Sequence, residues 1–172
     1  VHAGSAKALA AGRVYLRYTL TAGVVLLLGV VLLYSLTNNH SFASEQGLSP
    51  YLDDHRGLLT LIFALLVGGL AVKAAMVPLH GWLPRAMVAP APVSALLHAV
   101  AVVKAGAFGI LRVIYDLYGI ELSVELGVTT VLAVAASITI IYGSLRAIAQ
   151  EELKPRLAFS TISQVSYVVL GV

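Results

Sequence analysis

From Tyr18 to Leu36 the chain reads YTLTAGVVLLLGVVLLYSL, nineteen residues without a charge, preceded by Arg13 and Arg17 and followed by the polar stretch TNNHS. A helix needs about 20 apolar residues to cross the hydrocarbon core of a bilayer. This run therefore predicts a transmembrane helix, and it obliges the remainder of the chain to fold in or against lipid. The charge content agrees: 11% of residues are charged, against about 25% in a soluble domain. A water-soluble globule is excluded. At about 20 residues per crossing, 172 residues allow about four or five spans.

A second apolar stretch covers 58–77, LLTLIFALLVGGLAVKAAMV, interrupted by Lys73 and closed by Pro78. Proline lacks a donor and disfavours helix in the residue before it, so a break is expected there. The continuation over 78–92 holds four prolines, Pro78, Pro84, Pro90 and Pro92, yet is apolar. It reads as a half-helix or re-entrant piece packed inside protein, where irregular backbone is permitted at membrane depth. A third span is expected over 93–115, with His98 and Lys104 inside it and with Gly106 and Gly109 allowing close helix approach. A fourth covers 124–148, uncharged until Arg146. After the turn QEELKPR, 157–172 starts a fifth. The expected fold is an all-α, polytopic transmembrane helical bundle of about four full spans plus the start of a fifth, with one broken helix.

Lysine and arginine in the connecting segments set the orientation. With the start of the chain cytoplasmic, the inner segments hold Lys7, Arg13, Arg17, Arg85, Arg146, Lys154 and Arg156, and the outer ones only Arg56 and Arg112. The outer connections gather Glu45, Asp53, Asp54, Asp116, Glu121 and Glu125. The net charge of +3 thus reflects topology, and no nucleic-acid partner is expected. No signal peptide is visible. The chain opens on Val1, and its last span is cut short, so residues 1–172 are expected to be a single transmembrane fragment of a larger subunit in the plasma (inner) membrane. The absence of cysteine excludes disulfides, thiolate metal sites and iron–sulfur clusters in this chain.

Two lysines lie within apolar spans. A charge near the bilayer centre costs roughly 2.5 to 3.5 kcal/mol on insertion scales. Desolvation lowers a buried lysine's pKa towards neutrality, so it can accept and release a proton. Lys104 is near the middle of the third span, roughly 15 Å from either interface. It serves either as a relay station or in a fixed ion pair with an acid that no span core of residues 1–172 supplies. Lys73, one turn before the break, is either a relay member or a snorkelling side chain. His98 lies six residues before Lys104, about 9 Å along the axis and 120° around it. A water can connect the two, and imidazole passes protons between its nitrogens. The alternative is a histidine satisfied by a carbonyl. His80, just past the break, is a further candidate, or else hydrogen-bonds the irregular backbone there. Haem ligation by His80 and His98 is disfavoured, since one is on a broken segment and no second pair accompanies them. No cofactor or metal is expected. Ser160, Thr161, Ser163, Gln164 and Ser166 line a hydrated path or hold helices together.

The run KAAMVPLHGWLPRAMVAPAPVSALLHAVAVVKAGAFGILR, Lys73 to Arg112, closely resembles the antiporter-like proton-conducting subunits shared by respiratory complex I, Mrp-type cation/proton antiporters and membrane-bound hydrogenases. LKPRLAFSTISQVSYVVLG, Leu153 to Gly171, is similar to the linker and following helix of the same family. The resemblance implies two inverted five-helix repeats within about fourteen helices, with residues 1–172 running from the sixth helix to the start of the tenth. It places Lys73 on a broken helix and His98 and Lys104 on the next, along a hydrophilic axis whose partner carboxylates fall outside this sequence. Arg85, where many complex I members have an acid, is more like the Mrp and hydrogenase branch. The expected function is proton translocation in a multisubunit Mrp-type monovalent cation:proton antiporter, with Lys73, Lys104 and His98 as the relay. The expected partners are other membrane subunits, protons, sodium or potassium, and the lipid bilayer. The alternatives are a proton-pumping, non-redox subunit of NADH:quinone oxidoreductase or hydrogenase, and a structural membrane anchor.

Overall fold

The computed structural model describes residues 6–37, 48, 51–96 and 101–172, and every element in them is helical. The elements are α1 (Ala6–Thr37), α2 (Leu52–Lys73), a 3-10 turn (Leu79–Gly81), α3 (Trp82–Ala86), α4 (Ala91–Ala95), α5 (Val102–Arg112) running on into a π-helical segment (Val113–Tyr118), α6 (Ile120–Glu125), α7 (Val128–Ile148) and α8 (Leu153–Leu170). Three of them, over Ala8–Thr37, Asp54–Lys73 and Val128–Ile148, are long and apolar enough to cross a membrane.

The helices meet along seams that glycine makes possible. On α2, a Cβ on Gly69 would stand 2.8 Å from Leu26 Cβ and 2.9 Å from the Ala22 carbonyl oxygen of α1. On α7, a Cβ on Gly143 would stand 3.1 Å from both the Phe159 carbonyl oxygen and the Ser163 nitrogen of α8. Without a hydrophobic driving force between helices in lipid, such close backbone packing supplies the attraction. Between the seams Ile62, Leu66, Leu83, Ile110, Ile114 and Ile162 are fully buried. The outward faces are equally apolar. Leu20, Val24, Leu27 and Val31 form an exposed stripe on α1, and Val131, Val134, Ile138 and Leu145 do so on α7. In water these faces would be an aggregation liability; in a bilayer they meet their natural solvent.

Three boundaries differ from those the sequence suggests. α2 stops at Lys73, several residues short of Pro78, because Ala75 adopts φ 56° and turns the chain. Met76 N donates to Ala71 O (3.0 Å) and Ala75 N to Val72 O (3.1 Å), the paired bonds of a Schellman cap with alanine in the left-handed position. Where the third span is expected to end at Tyr115, α5 runs on into π-helical turns as far as Tyr118 and stops at Gly119. Gly127, at φ 70°, separates α6 from α7, so the fourth helix begins at Val128 and not at Val124.

Candidate functional site

The break after α2 is built so that its exposed backbone groups find partners inside the protein. Val72 O, one of the carbonyls freed by the helix end, accepts a bond from Trp82 Nε1 at 2.7 Å as well as the cap bond from Ala75. Trp82 is itself fixed edge-on against Tyr15 of α1, with centroids 5.6 Å apart. Beyond the cap, Val77 N donates to Thr139 Oγ1 (3.1 Å), and that hydroxyl donates to Ala135 O (2.7 Å) in α7. Irregular backbone at membrane depth is tolerated only when its polar groups are satisfied in this way.

Lys73 is the last residue of α2 and is half-buried. The carbonyl end of a helix carries partial negative charge, which favours a cation at that position. α5 rests directly on this end: a Cβ on Gly106 would fall 2.3 Å from Ala74 N and 2.7 Å from the Lys73 carbonyl carbon. Lys104, two residues earlier, is about 200° around the helix from that contact and is exposed. The two lysine-bearing helices therefore touch backbone to backbone, with Lys104 on the far side of α5 from that contact. Among the described residues neither ammonium has a hydrogen-bond or ion-pair partner. His98 lies outside the described residues.

His80 occupies the 3-10 turn, half-buried, with its ring edge-on to Tyr142 (4.9 Å between centroids) and 6.2 Å from Phe159. The sequence leaves backbone hydrogen bonding open for it. In the structure its Nδ1 is buried without a hydrogen-bond partner among the described residues, and the ring is held by aromatic side chains of α7 and α8. Of the polar cluster that opens α8, Ser163 joins helices: its Oγ lies 2.9 Å from Ser144 Oγ and donates to Ile140 O at 3.2 Å. Ser166 and Thr161 return their hydroxyls to their own helix, and Gln164 is exposed.

Sequence reasoning did not single out Thr139 or Trp82, the two side chains that hold the break. Threonine within an apolar helix ordinarily bonds its own preceding turn, as Thr139 also does, so its second role leaves no signal. Trp82 sits in the proline-rich run, where its indole N–H was the one hint, since a buried N–H needs an acceptor.

Helices with apolar outer faces, one of them broken and internally satisfied at a lysine, define a multi-pass membrane protein of the helical type. A family model described as NADH:quinone oxidoreductase/Mrp antiporter, transmembrane, matches residues 2–172, and the chain belongs to that family. It is 39% identical over 151 residues to a Staphylococcus aureus (strain USA300 / TCH1516) protein that carries the name antiporter subunit mnhA2, a match covering 88% of this chain and 18% of the relative. Among solved structures it resembles a chain of the Mrp complex from Dietzia sp. DQ12-45-1b, at TM-score 0.83 and 30% identity over 97% of this chain and 30% of that one. It also resembles a chain of the membrane-bound sulfane sulfur reductase, an archaeal respiratory membrane complex, at TM-score 0.80 and 27% identity over 98% of this chain and 34% of that one. Residues 1–172 thus form part of a membrane antiporter-like subunit and span 18% of the length of the curated relative.

Proposed function

We propose that these residues carry the central part of a proton pathway in a subunit of an Mrp-type monovalent cation:proton antiporter. The observation that carries the reading is Lys73 at the end of a broken helix, half-buried, with α5 seated on the same backbone. In this reading Lys73 exchanges its proton with a carboxylate outside residues 1–172. Lys104, facing away from α2, holds the mid-membrane station towards other helices, and His98 with water connects the two. A change in the pairing of Lys73 with that carboxylate is the step that couples proton movement to transport. The other membrane subunits of the complex, sodium or potassium, and a plasma-membrane location with the start of the chain cytoplasmic belong to the same proposal.

The test is Lys73→Ala and Lys104→Ala in the full-length protein within its assembled complex. Sodium- or potassium-driven proton movement is followed by a pH-sensitive dye in inverted vesicles. Exchange is expected to be lost while assembly survives, with Lys104→Arg retaining a part of it. Unchanged exchange in Lys104→Ala would remove that residue from the pathway. If Lys→Met at both positions harms only assembly, the chain is an anchor.

The likeness to a chain of an archaeal respiratory complex favours a second reading, a non-redox proton-pumping subunit driven by electron transfer in a hydrogenase-like or complex I-like assembly. Co-purification with iron–sulfur subunits, and proton movement that answers to an electron donor and not to sodium or potassium, would establish it.

A further inference from the structure

A cavity of about 630 Å³ opens between the start of α1, the end of α3 and the turn joining α7 to α8. Ala10, Ala11 and Val14 form its apolar wall, and Arg85, Glu152 and Lys154 its polar rim. Its depth in the membrane follows from α1. The membrane-competent part, Ala8–Thr37, has 30 residues, about 45 Å at 1.5 Å per residue, which matches a bilayer with its headgroups rather than the hydrocarbon alone. The uncharged run begins at Tyr18. Val14 and Ala10 precede it by four and eight residues, roughly 6 and 12 Å, so the cavity lies at headgroup depth.

The rim is charged in a particular pattern. Lys154 Nζ donates to Ala89 O (3.2 Å), which holds the ammonium over the opening with donors to spare. Arg85 is exposed, and no ion pair joins it to Glu152. The nearby Arg156 is already engaged by Gln150 O (3.1 and 2.6 Å) and stands apart from the rim. Among the described lining residues, two cations and one carboxylate leave a net charge of +1 above an apolar wall. A phosphodiester with hydroxyl groups beyond it complements that pattern: the phosphate takes the two cations, the hydroxyls donate to Glu152, and the molecule's apolar part lies on Ala10, Ala11 and Val14. Basic pockets between transmembrane helices take phospholipid headgroups by this chemistry.

We infer that the cavity between α1, α3 and the α7–α8 turn binds the headgroup of an anionic glycerophospholipid of the phosphatidylglycerol class. The site is independent of the lysine pathway.

The experiment uses the full-length protein in its complex, reconstituted in phosphatidylethanolamine nanodiscs doped with a photoactivatable phosphatidylglycerol. Labelling of the 1–172 region is read by mass spectrometry. Arg85→Gln combined with Lys154→Gln is expected to raise the probe concentration needed for half-labelling by about tenfold or more, as the loss of charge-assisted bonds implies. Ala11→Phe, which fills the wall and keeps every charge, is expected to do the same and decides the matter if the double variant fails to assemble. Unlabelled phosphatidylglycerol is expected to compete, and phosphatidylethanolamine and free glycerol 3-phosphate are not. Undiminished labelling in Ala11→Phe, or equal competition by phosphatidylethanolamine, overturns the inference. Displacement by glycerol 3-phosphate also overturns it, since the site would then serve a soluble phosphate ester.

Discussion

Gly68 and Gly69 are neighbours on α2 with opposite consequences. A Cβ on Gly68 meets nothing within 4 Å, whereas one on Gly69 runs into Leu26 Cβ and the Ala22 carbonyl at under 3 Å. Alanine relieves the flexibility of a helical glycine, a gain of about 0.4–1 kcal/mol where space allows. Where a backbone atom blocks it, overpacking costs about 1–3 kcal/mol. Gly68→Ala is therefore expected to stabilise the full-length protein in detergent, and Gly69→Ala to destabilise it, by thermal unfolding of the purified variants. The sequence alone points to glycine seams at Gly106 and Gly109 in general terms. It does not tell Gly68 from Gly69, because that difference belongs to the neighbouring helix. The lysines were legible for a different reason: a charge in an apolar run stands out whatever surrounds it.

At the scale of elements, the end of α2 is the instructive case. Four prolines announce an interruption, and the sequence puts it at Pro78, the strongest local breaker. The chain turns sooner, at Ala75, where a residue with little helix-breaking character takes φ 56°. That conformation is held by the cap bonds within the segment and, from outside it, by Trp82 and by Thr139 of α7. Thr139 is fully buried, and Thr139→Val keeps its shape while leaving the Val77 N–H without an acceptor, at about 1–3 kcal/mol. The variant is expected to lower the melting temperature and to speed hydrogen exchange at Val77, with Thr139→Ser close to wild type. An unchanged exchange rate at Val77 would mean that α7 does not hold the break. The π-helical end of the expected third span had no comparable sequence signal, since its apolar composition suits an α-helix and a π-helical turn equally well.

For the whole molecule, the helical, multi-pass character was readable from apolar run lengths, because lipid leaves so few alternatives to a helix. Orientation remains a matter of charge placement, and it has a direct test. Glu151, in the α7–α8 turn, and Glu121, in α6, are both exposed and lie beyond opposite ends of α7. With the start of the chain cytoplasmic, a cysteine at Glu151 is expected to react with a membrane-impermeant maleimide only in inverted vesicles. A cysteine at Glu121 is expected to react only in intact cells, in a background freed of other thiols. The reverse pattern would invert the topology and exchange the two faces of the proposed pathway.

The seat of Gly106 on the last peptide units of α2 has a mechanical consequence. With no side chain between the two helices at that point, any atom added to Gly106 would wedge α5 away from the peptide that carries Lys73.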